Sequence, residues 1–80
     1  MQHTLRLSDL PLHQTAAVLT VDANGGIYQR LLDIGLTEGT HVSCVLRSPM
    51  GDPSAYLIRG AVFALRRDDA SCVTVATGAS

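Results

Sequence analysis

Three histidines, two cysteines and seven carboxylates are the side chains in this 80-residue chain that could hold a metal or move a proton. Their spacing builds no centre. His3, His13 and His41 stand far apart, as do Cys44 and Cys72. No pair has a ligand spacing such as C-x-x-C or H-x-x-x-H, by which one turn offers two ligands to a tetrahedral ion. Cys44 alternates with Val42 and Leu46, so it reads as packing. The weak surface candidates for a metal are His3, His13, His41 and Cys72. They suit incidental or regulatory binding of iron or zinc, not a cofactor that the chain requires. The chain shows no nucleophile elbow, phosphate loop or carboxylate pair in a cleft, so the expectation is no enzyme.

The stretch that asks for an explanation is RSPMGDPSAYLIRG, residues 47–60. Two prolines, a glycine and an aspartate separate two runs that read as strands. Pro49 and Pro53 bias Ser48 and Asp52 to extended backbone, and Gly51 supplies a joint. A loop shaped in advance in this way suits docking, and Met50 at its tip is the expected contact. Pro49, Met50, Gly51, Asp52 and Pro53 are therefore the first candidate surface. The helix exit at Leu36 is the second. Arg66 and Arg67, beside Asp68 and Asp69, are the third, read either as a solvated, self-paired edge or as a partner contact.

These residues need a frame. TAAVLTV (15–21) alternates as a strand. DANGGIYQRLLDIGL (22–36) is a short helix capped by Asp22 or Asn24, with Ile27, Leu31 and Ile34 on one stripe and Leu32 beside it. Gly35 stops it, and Leu36 folds back on Leu31. Gly39 turns the chain into HVSCVLRS (41–48), where Val42, Cys44 and Leu46 share one face. AYLIRG and AVFALRR follow as strands parted at Gly60, RDDA makes one helical turn, and SCVTVAT is the last strand. Five short strands and one short helix close most economically as a small barrel. The order fits an SH3-like barrel with the helix between the first and second main strands, a single domain over residues 1–80.

Composition narrows the function. Six arginines, no lysine and seven acids give a net charge of −1, which argues against nucleic acid and against an anionic membrane surface. No apolar run nears the roughly 18 residues that span a bilayer, and MQHTLRLSDL has no secretory core, so a cytoplasmic location with free thiols is expected. The only aromatics are Tyr28, Tyr56 and Phe63, too few for a polyproline groove.

RLLDIGLTEGTHV, PMGDP, IRG and ALRRDDASCVTV, in this order and spacing, resemble the FeoA family. Arg30, Leu31, Gly35, Leu36, Gly39 and Val42 match its first block. Pro49, Gly51, Asp52 and Pro53 match the second, and Gly60, Leu65, Arg66, Asp69, Ala70, Val73 and Val75 the third. The chain departs at Glu38, where the family often has proline, and at Phe63, where a polar residue is common. The resemblance implies an SH3-like barrel and an accessory role in ferrous iron uptake. Its partner would be the FeoB transporter, at the GTPase or adjoining cytoplasmic region, with Arg66 or Arg67 conceivable as an arginine finger. The chain would then be peripheral to the membrane only through that partner. Similar domains end some iron-dependent repressors, whose winged helix this chain has no room for, so a free-standing FeoA is expected. Two alternatives stay open: a small metal-binding or metal-sensing domain, and a nucleic-acid-binding barrel. Exposed strand edges also permit a homodimer.

Overall fold

The computed structural model describes residues 2–78. The order is β1 (Gln2–Arg6), a 3-10 turn (Leu7–Asp9), β2 (Thr15–Val21), α1 (Gly25–Asp33), β3 (His41–Arg47), β4 (Ser54–Ile58), β5 (Ala61–Leu65), α2 (Arg67–Ala70) and β6 (Val73–Gly78). The strands form one antiparallel sheet in the order β1-β6-β2-β3-β4-β5. The fold is mostly β, with α1 between the first two main strands as expected. Among the described residues it has six strands, not five. The addition is β1, whose QHTLR carries too little alternation to read as a strand but pairs with β6 along its length.

The core is aliphatic, with one aromatic. Val18 and Ala16 from β2, Val42 and Cys44 from β3, Tyr56 and Ile58 from β4, Leu65 from β5, and Val73 and Val75 from β6 all face inward. Leu7 and Leu10, from the turn after β1, close one end. The single-turn α2 forms as expected and buries Ala70.

Helix α1 departs from its expected packing. Asn24 is the N-cap, but its side chain makes no capping bond, and only Leu31 is buried. Ile27 is 46% exposed. With two glycines opening the helix, its first turn has little to hold it. Its last turn is tightly fixed. Leu36 N–H donates to Leu31 O at 3.1 Å and Gly35 N–H to Leu32 O at 3.0 Å, the paired bonds of a Schellman ending. Gly35 has φ +108°, and a Cβ there would sit 2.6 Å from Arg59 Cδ and 3.2 Å from Ile58 Cγ2. That backbone conformation and close approach suit glycine alone.

Strand β3 carries the second departure. Its register with β4 shifts between Cys44 and Leu46. Val45 is thus an extra residue, and the bulge reverses the alternation beyond it. Leu46, expected inside with Val42 and Cys44, is 61% exposed. Arg47, expected outside, turns in. Its guanidinium donates to Ser54 Oγ at 3.1 Å, to Ser8 O at 3.2 Å and to Leu10 O. One arginine thereby ties β3 and β4 to the turn after β1. Nearby, the Tyr56 hydroxyl donates to Leu7 O at 3.3 Å. Burial pushes this phenol above the usual tyrosine range, and Cys44 adds to the push. Arg47, the hydrogen bond with Ser54 and Arg67 pull it down.

Candidate docking site

The loop from Ser48 to Pro53 is set between β3 and β4 by three hydrogen bonds. Gly51 N–H donates to Ser48 O at 2.8 Å, closing a turn over Pro49 and Met50. Ser48 N–H reaches Pro53 O at 3.4 Å across the base. Asp52 Oδ1 accepts from Arg67 N–H at 2.9 Å, and the Asp52–Pro53 peptide is cis.

The third bond matters most. An aspartate in a turn commonly bonds its own backbone two residues on; Asp52 instead reaches the start of α2. The N-cap of α2, Arg66, supplies no side-chain cap. The first-turn N–H groups of a helix need an acceptor, and a carboxylate there also meets the positive end of the peptide dipoles. Asp52 is that acceptor, delivered from outside the helix. The signal lay in the hairpin. Arg59 (φ +53°) and Gly60 (φ +85°) form a two-residue turn with both residues in the left-handed region. Counting outward from it through Ile58↔Ala61, Tyr56↔Phe63 and Ser54↔Leu65 brings Asp52 opposite Arg67.

Held in this way, the loop presents Met50 at 90% exposure. Pro49, Asp52 and Pro53 are exposed beside it, and Gly51 is half-buried. Arg67 runs along the loop, its terminal Nη2 3.7 Å from where a Gly51 Cβ would lie. Arg66 and Arg67 are both exposed. They are not self-paired with the neighbouring acids. Asp69 is taken by Arg30 of α1 at 3.3 Å, an exposed-to-half-buried contact that also joins the two helices. Leu36 is corrected outright. It is 0% exposed, locked in the helix ending, and offers a partner no surface.

The metal candidates do not converge. Among the described residues, no three His, Cys, Asp or Glu side chains come close enough to share an ion. His3 and His41 are exposed on β1 and β3, and His13 lies in the left-handed region (φ +71°) between Leu10 and β2. Cys72 is half-buried, its thiol 3.5 Å from Asp68 O. No helix among the described residues is long and apolar enough to cross a membrane.

Comparison with known proteins gives the loop its context. A curated relative, the Fe(2+) transport protein A/Fe(2+) transporter FeoB fusion protein of Porphyromonas gingivalis (strain ATCC BAA-308 / W83), is 32% identical over 71 residues. That match takes in 89% of this chain and only 8% of the fusion protein. The crystal structure of Stenotrophomonas maltophilia FeoA complexed with zinc, described as a procaryotic SH3 domain protein, superposes with TM-score 0.80 at 37% identity, covering 89% of this chain and 88% of that one. The solution structure of FeoA from Chlorobium tepidum gives TM-score 0.82 at 32% identity, covering 89% and 68%. Residues 5–77 match the FeoA domain, and with that span, this identity and this fold the chain belongs to the FeoA family of ferrous iron transport.

Proposed function

We propose that this chain is a cytoplasmic accessory module of ferrous iron uptake that acts by docking on a FeoB-type transporter. The support for the partner is the Porphyromonas gingivalis protein, in which an FeoA part and a FeoB part share one chain. Covalent fusion gives two modules a high effective concentration, which serves a pair that works in contact.

The observation that carries the docking site is Met50. A flexible apolar side chain stands 90% exposed on a loop whose backbone is bonded on both sides. Such a side chain makes little use of solvent, and its burial by a partner contributes roughly 1.5–3 kcal/mol before ordering costs. Arg67, lying along the same loop, adds a charged group beside it. A module that binds one nucleotide state of the GTPase better than the other shifts the transporter between states by that difference alone.

The test is titration of the chain against the cytoplasmic part of FeoB, with and without guanine nucleotide. Saturable binding weakened about tenfold or more by Met50→Asp, with unchanged circular dichroism, supports the reading. Equal affinity of wild type and Met50→Asp removes the loop as the docking site. No binding to either nucleotide state removes the cytoplasmic part of FeoB as the target.

A further inference from the structure

Strand β5 ends the sheet. The two-residue turn at Arg59–Gly60 makes Ile58↔Ala61 a hydrogen-bonded pair, so Tyr56↔Phe63 and Ser54↔Leu65 are too. The backbone N–H and C=O groups of Val62 and Ala64 therefore point away from β4. Among the described residues nothing accepts from or donates to them. Edge strands are commonly blunted by a charge, a proline or a covering loop. AVFAL has neither charge nor proline. Val62 is 61% exposed, and it pairs with the exposed Leu57 on the outer face of the sheet.

The ends of this edge are as distinctive as its middle. Arg59 stands at one end, Arg66 and Arg67 at the other, all exposed. Among the described residues none of the three has a carboxylate within ion-pairing distance. Of the acids near the second end, Asp52 is engaged by Arg67 N–H and Asp69 by Arg30, leaving Asp68 against two guanidiniums. This charge pattern selects among occupants. A second copy, pairing its own β5 antiparallel about Phe63, would set Arg59 of one copy opposite Arg67 of the other at both ends. Like charges directly opposite across a strand pair oppose that arrangement.

We infer that the β5 edge is a strand-addition site for an extended segment of another protein, apolar in its middle and acidic at both ends. Backbone bonds to Val62 and Ala64 supply register. The outer face at Val62 and Leu57 takes alternate apolar side chains, and the flanking arginines take the carboxylates. The inference does not depend on the choice of transporter, and it shares only Arg67 with the Met50 loop.

The test is titration of the isotope-labelled chain, followed by NMR, with synthetic peptides of about nine residues, enough to span the strand and both flanks. One has alternating Val and Thr between Asp and Glu ends, a second carries Lys ends, and a third is the acidic peptide N-methylated on alternate amides. The expected result is saturable binding of the acidic peptide below about 1 mM, with the largest shifts and new exchange protection at the Val62 and Ala64 amides. The Lys-ended and N-methylated peptides bind at least tenfold more weakly. Ala64→Pro removes an outward N–H and abolishes binding; Val62→Lys, which leaves the backbone intact, weakens it at least tenfold if the proline variant does not fold. Equal binding of acidic and Lys-ended peptides, equal binding of the N-methylated peptide, or no saturation by any of them overturns the inference. So does sedimentation showing a dimer that Val62→Lys dissociates, since the edge would then belong to a second copy.

Discussion

Removing the Asp52 carboxylate should loosen two elements at once. Its Oδ1 takes the Arg67 N–H at 2.9 Å, and α2 has no side-chain cap of its own. Loss of a helix cap costs about 0.5–2 kcal/mol, and this bond lies at an exposed position, which places Asp52→Ala near 1 kcal/mol. For a chain of this length that lowers Tm by about 4–8 °C. Asp52→Asn keeps an acceptor oxygen and loses the charge, so it should recover at least half of the drop. Thermal unfolding by circular dichroism measures both. Hydrogen exchange reports the coupling: the Arg67 and Ser71 amides should exchange faster in Asp52→Ala, while the β2 and β6 amides keep their order. Unchanged Tm in Asp52→Ala together with unchanged exchange at Arg67 would show that the loop and α2 are not fastened through this residue.

Arg47→Lys should destabilise by about 2–3 kcal/mol in urea, because one ammonium cannot meet Ser54 Oγ, Ser8 O and Leu10 O together; a loss under about 0.5 kcal/mol, typical of a surface site, would contradict the clamp. Gly35→Ala should cost about 1–3 kcal/mol through its φ of +108° and its contact with Arg59, and Arg59→Ala in the same chain should restore only the steric part; full recovery would remove the backbone argument. Tyr56 gives a pH signature. Its phenol is held above the ordinary value, so its contribution is complete below about pH 10 and falls as the pH rises further, since the unfolded chain releases its proton first. Tyr56→Phe should lose about 1 kcal/mol at neutral pH with the Leu7 bond and flatten the alkaline limb of the urea midpoint; the chain has no lysine to contribute to that limb, and an unchanged limb would contradict the role of Tyr56.

What the sequence disclosed is what short-range rules govern. Gly35 and Leu36 follow from one helix ending, Gly60 from one turn, and RDDA from one turn of helix, each a matter of a few adjacent residues. The alternation of β3 reads correctly through Cys44 and fails at Val45, because a bulge is a property of two strands and no residue in HVSCVLR marks it. The failure moved Leu46 out and hid the role of Arg47. The N-terminal strand failed for a like reason: QHTLR becomes a strand only beside β6, whose partners come from the far end of the chain. At the site, the loop's position and Met50's exposure were legible from proline, glycine and an apolar residue at a tip. The Asp52 bond was within reach, but only after the hairpin register was fixed.

The same register argument explains why the exposed apolar groups gather on one half of the sheet. The barrel needs one inward side chain from every second position, and β3, β4 and β5 supply Val42, Cys44, Tyr56, Ile58 and Leu65. Their alternate positions could all have been polar at no cost to the core. On β3 they hold His41 and Ser43, but on β4 and β5 they hold Leu57, Val62 and Ala64, and the bulge adds Leu46. Chain length and turn chemistry do not require those choices. The other half, β1, β6 and β2, places Thr4, Thr74, Thr77, Thr15 and Thr20 at comparable surface or half-buried positions. A chain that spends threonine where it meets water and leucine or valine where it meets water a few strands away distinguishes two faces. The apolar half ends at the open edge of β5, and Arg67, just beyond that strand, lies along the loop that carries Met50. If contact with partners is the chain's work, this half is where variants should separate binding from stability: Val62→Lys and Met50→Asp should leave the unfolding free energy in urea within about 0.5 kcal/mol of wild type while binding falls. A parallel loss of both would return these side chains to the core's account.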